Sequence, residues 1–438
     1  MAHFGVVAPA FYSHYKALQA LAGALVAHGH RVTFLHRPDA AAYLDDARIG
    51  FHAVGSGTHP PGSLDAVARR AANPGGPLRL RRVIADMAGS TDMLCRELPA
   101  AIESLGIDAI IADQMEAAGG LVADGMKLPF VSIANALPVN REPGIPLPVM
   151  PFAYEDSEKG RRMVEGSTRV YDWMMGAHGR VIAEHARRFG LGERSALHHC
   201  LSPLAQISQT VREFDFPRRE APAHFHHVGP LRPLAQGPAA DPYAHAMPDV
   251  ADGKPFVFAS LGTMQGGRFG LFERIARACR REGVQLLIAH CGGLDARQER
   301  ALRQAGATWV CAFAPQRAVL ERADAVISHA GVNTVLDAIA ARTPILALPI
   351  AFDHPGMAAR MLHAGVGLHA SYRFATSGAI ARKLRRLLDD PGFAPKLEAL
   401  SGAVARAGGT ARAVDIIEAA LAPRPPQPLR ERQRETAA

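Results

Sequence analysis

Short apolar runs alternate with longer amphipathic ones from the first residues onward. Residues 4–8 form an apolar stretch followed by a loop over 9–14; residues 15–28 carry apolar side chains at helical spacing and stop at Gly29; residues 31–35 return to strand character. A strand, a helix and a strand with short connections is the unit from which parallel sheets are built. The unit recurs: 78–105 reads as mainly helix, 109–112 as strand, 117–125 as helix and 130–133 as strand. Proline density breaks regular structure over 140–152, helical sequence resumes over 161–189, and 232–254, rich in Pro, Ala, Gly and Asp, has no sustained periodicity. A second series then runs through a strand at 256–260, a glycine-rich loop at 261–267, a helix near 269–282, a strand near 285–289, a strand at 325–328, a small-residue turn, a helix at 332–341 and a strand at 345–348. Two halves that each alternate strand and helix predict an α/β protein of two doubly wound Rossmann-like domains facing across a cleft. The expected divisions are a first domain at 1–231, a linker at 232–254, a second domain at 255–421 and a disordered tail at 422–438.

Composition narrows the class without naming a chemistry. The 438 residues exceed one ordinary domain, and 48% hydrophobic with 21% charged residues is the balance of a globular protein. The formal charge of +8 is mildly basic, suited to solubility or to an anionic membrane surface. No dense lysine and arginine block appears in the folded part, which argues against a nucleic-acid partner. Five cysteines are odd in number and lack a Cys-x-x-Cys pair, so neither a disulfide framework nor a zinc site is expected. The histidine clusters His198-His199 and His224, His226, His227 have no partners at metal-ligand spacing and are read as surface or turn residues. With no run of about 18 apolar residues and no basic leader, the expected location is cytoplasmic, any membrane contact being peripheral at the inner face.

The chemistry concentrates in 310–355. A strand, a tight turn at His329-Ala330-Gly331 and a helix opening behind it make an anion site, because the first helical turn leaves N–H groups unpaired and carries partial positive charge. Asn333 and Thr334 offer an amide and a hydroxyl at that end, and Asp337 falls on their face, where a carboxylate suits a ribose diol. Upstream, Phe313-Ala314-Pro315-Gln316 supplies an aromatic face and a rigid turn that could stack a base and present backbone groups to its edge. Downstream, Asp353-His354 follows the next strand. In the first half, His14 and Asp113 each fall at the carboxyl end of a strand, the edge where a doubly wound sheet binds ligands. A histidine alone means little; Asp113 could equally cap the helix that begins at Ala117.

These residues carry a family resemblance. Pro315, Gln316, His329, Gly331, Asn333, Thr334, Asp337, Pro344, Pro349 and Asp353 match the signature of the nucleotide-sugar-dependent glycosyltransferases, the UDP-glycosyltransferases of family 1 with the GT-B fold. Within them the chain looks most like the bacterial carotenoid glucosyltransferases, through VVAPAFYSHYKAL, IADQMEAAG, ANALPVNREPGIPLPVMPF, CLSPLAQISQ and FASLGTMQG. The resemblance implies His14 as general base and Asp113 as the carboxylate that orients it. It implies a UDP-glucose site made by Thr263, Phe313, Ala314, Gln316, His329, Gly331, Asn333, Thr334, Asp337, Asp353 and His354. Where the family usually has tryptophan at the stacking position this chain has Phe313, and where it has glutamine after Asp353 this chain has His354. The implied reaction is inverting transfer of glucose to a carotenoid hydroxyl, such as those of zeaxanthin, with no cofactor. No acidic Asp-x-Asp-type pair lies near the donor stretch, so no metal is expected and the leaving diphosphate falls to the helix end, His329 and hydroxyls. The acceptor wall is expected in 140–152 with Tyr171, Trp173, Met174 and Met175, residues that would otherwise be plain core. Another lipophilic acceptor (macrolide, sterol or polyphenol), another hexose, a UDP-sugar epimerase and a non-catalytic nucleotide-sugar sensor remain as alternatives.

Overall fold

A computed structural model describes residues 1–234 and 243–421. The expected tail at 422–438 and part of the linker therefore lie outside the described residues. Seven strands make the first sheet: β1 His3–Val7, β2 Arg31–His36, β3 Gly50–Ala53, β4 Ala109–Asp113, β5 Phe130–Ala134, β6 Gln206–Ser208 and β7 Phe225–His227. Six make the second: β8 Phe256–Ser260, β9 Gln285–Ala289, β10 Trp309–Cys311, β11 Ala325–Ser328, β12 Ile345–Ala347 and β13 Gly367–His369. All pairings are parallel, in the orders β3-β2-β1-β4-β5-β6-β7 and β10-β9-β8-β11-β12-β13.

The central strands are buried from end to end, which is why they read as unbroken apolar runs: helices cover both faces, so no face alternates with solvent. In the first sheet Phe4, Val6 and Ile111 pack on one side with Leu18, Leu21 and Leu25 of helix Tyr12–Ala27, while Val7, Ile110 and Ala112 pack on the other with Leu94 and Leu98 of helix Pro77–Leu105. The direction of winding reverses between β1 and β4, and between β8 and β11. Each reversal opens a crevice at the carboxyl ends of those strands, the usual binding place in such sheets.

Two expectations about boundaries need correction. Helix Gly409–Leu421 falls in the stretch expected to belong to the second half, yet its Ala413, Val414 and Ile417 are buried in the first half's core beside Leu18 and Leu21. An amphipathic stripe demands an apolar partner without specifying which one. The stretch 261–267, expected as a loop, contains the one-turn helix Gly262–Gln265.

The halves are also tied by a buried ionic cluster. Asp215 of the first half accepts from Nε of Arg360 at 2.5 Å and from Nε of Arg218 at 2.7 Å. Arg360 belongs to helix His354–Ala364 of the second half and lies over the Phe216 ring at 4.3 Å.

Candidate active site

His14 is the third residue of helix Tyr12–Ala27, because the chain enters helical structure sooner than the apolar spacing indicated. The N–H groups of His14 and Tyr15 both bond the Phe11 carbonyl, so the first turn wraps just past β1. β1 and β4 are neighbours, which sets Asp113, the last residue of β4, beside it: His14 Nδ1 and Asp113 Oδ2 are 2.7 Å apart. Asp113 is buried and also accepts from Asn135 Nδ2 at 2.7 Å and from the Met115 N–H at 2.8 Å. Three donors fix the carboxylate, and it in turn fixes the proton of neutral His14 on Nδ1, leaving the Nε2 lone pair free as a base. Burial pulls the His14 pKa down, but the charge and hydrogen bond of Asp113 and the charge of Asp353 outweigh it, and the net shift is upward. Asp113 does not cap the helix at Ala117; Glu116 does, accepting from the Ala118 N–H.

Across the cleft, β11 ends at Ser328 and helix Val332–Ala340 opens behind Gly331. The turn needs its glycine: a Cβ on Gly331 would lie 2.4 Å from His329 Nε2, and one on Gly262, whose φ is +72°, would lie 2.7 Å from the same ring. Two backbones thus close on the His329 ring. Burial pushes the His329 pKa down to about 4, so its ring is neutral. The His354 ring packs edge-on to it at 4.5 Å and is neutral for the same reason. His354 Nδ1 accepts from the Ala351 N–H at 3.2 Å, which places its own N–H on Nε2. Asp353 reaches into the first half, where its Oδ2 accepts from the Leu137 N–H at 3.2 Å. Burial raises its pKa.

The remaining candidates divide. Gln316, Thr334 and Asp337 meet: Gln316 Nε2 donates to Asp337 Oδ2 at 2.8 Å and Thr334 Oγ donates to Gln316 Oε1 at 3.3 Å. Asn333 joins them through Arg232, whose Nη1 donates to Asn333 Oδ1 at 3.2 Å. Phe313 has one face stacked against Tyr243 at 5.0 Å, with Ala314 half-buried beside it. Thr263 is exposed on its one-turn helix. Among the described residues no three His, Cys, Asp or Glu side chains are grouped to hold a metal ion.

A cavity of about 890 Å³ joins the two edges. His14 lies in its wall with Phe352, Asp353 and His354, and the rest is largely apolar, including Val83, Ile84, Met87, Leu147, Met174 and Met175. His198 and His199, expected as surface or turn residues, sit on a one-turn 3-10 helix with His199 exposed, and both also border this cavity. Burial and the charge of Arg141 push the pKa of His198 down to about 3, so it presents a neutral ring there. Asn135, Gln209 and Arg232 join the site without having been expected there. They are single polar residues without a motif, and only the fold brings them to the site.

Two doubly wound domains with a histidine–carboxylate pair on one edge and a strand, a tight turn and a helix N-terminus on the other form a glycosyltransferase of GT-B architecture. Solved structures share that fold at low sequence identity. The glycotransferase of kitacinnamycin aligns over 96% of this chain and 99% of its own with a TM-score of 0.73 and 21% identity. The calicheamicin glycosyltransferase aligns over 97% and 100% with a TM-score of 0.70 and 20% identity. Residues 195–403 match the family described as UDP-glucoronosyl and UDP-glucosyl transferase. Two curated relatives, both named zeaxanthin glucosyltransferase, come from Pantoea ananas (52% identical, covering 95% of this chain and 96% of the relative) and Pseudescherichia vulneris (47%, covering 96% and 98%). The chain belongs to the UDP-glycosyltransferase family.

Proposed function

We propose that this enzyme transfers glucose from UDP-glucose to the hydroxyls of a carotenoid diol, zeaxanthin, with inversion, giving the mono- and then the di-β-glucoside. The observation that carries the reading is the mainly apolar cavity of about 890 Å³ with His14 in its wall beside Asp353 and His354. An apolar rod with a terminal hydroxyl fits such a space, and its hydroxyl would meet Nε2 of His14. An alcohol is a far weaker acid than imidazolium, so the proton moves to His14 as the oxygen attacks the anomeric carbon and UDP departs from the opposite face. Asp113 stabilises the imidazolium that forms. The diphosphate lies at the N-terminus of helix Val332–Ala340, with His329, Asn333, Thr334 and Thr263 as neutral donors. The ribose is held by Asp337 and Gln316, the base by Phe313 and the Ala314 backbone, and the sugar hydroxyls by Asp353 and the Nε2–H of His354.

The test is product analysis with radiolabelled UDP-glucose and zeaxanthin in detergent. Sequential mono- and diglucoside is expected. A higher kcat/KM with UDP-galactose would overturn the donor, and a new UDP-sugar formed without acceptor would point to an epimerase.

A membrane contact belongs to the same proposal. Among the described residues no helix is long and apolar enough to cross a bilayer. On helix Glu158–Met174, however, Met163, Val170, Trp173 and Met174 are exposed along one side, Trp173 at 81%. Met174 also lines the cavity, as does the exposed Val149, so the apolar strip continues into the acceptor space. The enzyme would rest this strip on the lipid that dissolves its acceptor. The double variant V170E/W173E should weaken co-sedimentation with anionic vesicles about tenfold or more. Its activity on detergent-dissolved acceptor should stay near wild type, and equal losses in vesicles and detergent would remove the membrane role.

A further inference from the structure

Asp337 poses an electrostatic problem. A carboxylate on the second turn of the helix that receives a diphosphate repels the ligand it is meant to help bind. The structure resolves this with a residue from outside the nucleotide-binding half. Arg232, at the start of the linker, donates from Nε and Nη2 to Asp337 Oδ1 at 2.9 and 2.8 Å, and from Nη2 to the Asn333 carbonyl at 3.3 Å. It is anchored on the other side as well. Its Nη1 reaches Oε1 of the fully buried Gln209 at 3.4 Å, and its backbone N–H and carbonyl are both bonded to Thr410 Oγ, at 2.8 and 2.6 Å. Gln209 bonds in turn to Asn135 Oδ1 at 3.2 Å, and Asn135 bonds to Asp113.

We infer that Arg232 is a positioning residue for the nucleotide: supplied by the linker, it neutralises Asp337 and turns its carboxylate toward the ribose. This rests on Asp337 being the ribose carboxylate. The lone-pair arithmetic supports it. A carboxylate offers about four acceptor sites; Arg232 takes two on Oδ1 and Gln316 takes one on Oδ2. One site on Oδ2 is left, aimed by the other three, and a ribose hydroxyl is the donor it lacks. Without the guanidinium the carboxylate is held by Gln316 alone, keeps its full charge beside the diphosphate and fills its open sites with water.

The test is calorimetric binding of UDP and of its 2′-deoxy and 3′-deoxy analogues to the full-length enzyme. Wild type should prefer UDP over at least one analogue by roughly tenfold, the worth of one hydrogen bond to a charged group. In Arg232→Ala the affinity for UDP should fall about tenfold or more, and the preference should collapse toward one, because the aimed acceptor site is gone. KM for UDP-glucose should rise with kcat changed less than about threefold, since Arg232 touches no reacting atom. Arg232→Lys restores the charge without the fork; it should recover part of the affinity and little of the preference, and it serves as the test variant if the alanine form does not fold. A variant that keeps the wild-type preference, whatever its overall affinity, overturns the inference. Asp337→Asn separates the two layers. If it leaves the preference intact, the ribose assignment of Asp337 fails; if it abolishes the preference while Arg232→Ala does not, only the role of Arg232 fails.

Discussion

His14→Ala is expected to lower kcat for glucosyl transfer by about 10²–10⁴-fold, the usual worth of a general base, while the affinity for UDP stays at the wild-type value. The split follows from geometry: His14 bonds Asp113 in the first half, and the residues proposed to hold the nucleotide gather on the second. Single-turnover transfer and UDP binding, measured on the same preparation, check it. A variant with near-wild-type turnover would remove His14 from the mechanism and favour a non-catalytic sensor. The pH profile adds a second readout. A base must be unprotonated, and the His14 pKa is raised, so kcat/KM should fall with decreasing pH along a limb above the ordinary imidazole value of about 6.5. Asp113→Asn removes the charge that does most to raise it, leaving burial, which lowers it, opposed by the charge of Asp353 alone. The limb should move to lower pH even as the maximal rate drops, because an amide that donates to Nδ1 would force the proton onto Nε2, the atom that must accept. A limb that does not move would place the titrating group elsewhere.

What could be read from the chain divides by how local the cause is. The elements that carry the proposed donor site were legible because a strand, a turn and a helix N-terminus are consecutive, and their polar residues fall at fixed helical offsets; β11 was expected at 325–328 and runs over those residues, and helix Val332–Ala340 ends one residue short of expectation. The pairing of His14 with Asp113 was legible through topology, since the carboxyl ends of β1 and β4 meet where the winding reverses. Three-residue strands such as β6 and β7 are too short to show a period and went unread. Arg232 lay in a segment whose Pro, Ala and Gly content says only that no regular element forms. Nothing in that composition tells that its guanidinium crosses to Asp337. Helix Gly409–Leu421 was misassigned because its apolar stripe fits either core, and the choice is made by where the chain returns after crossing between the halves.

The largest expected stability effect is at Asp215, far from any motif. Asp215→Ala leaves Arg360 and Arg218 buried and facing each other without their counter-charge, and breaking a buried pair in this way costs about 3–5 kcal/mol. The urea midpoint should fall accordingly. Burial would raise the Asp215 pKa, but the two guanidiniums outweigh it and hold the carboxyl far below its usual range. A depressed folded-state pKa means that the contribution is full above the unfolded value of about 3.9 and is lost as pH falls through the folded one. The gap between wild type and variant should therefore be constant near neutrality and shrink in acid. The apolar replacement D215L/R218M/R360M should be more stable than Asp215→Ala, because it removes the stranded charges along with their partner. A destabilisation as large in that variant would show that shape at this seam, not charge, is what matters. The consequence reaches the donor sugar. Arg360 shares a helix with His354, and Asp353 begins it, so loosening the seam frees the end of the helix proposed to grip the glucose. Asp215→Ala should therefore raise KM for UDP-glucose even at temperatures where the protein stays folded, whereas the affinity for UDP alone, held by the helix after His329, should change much less.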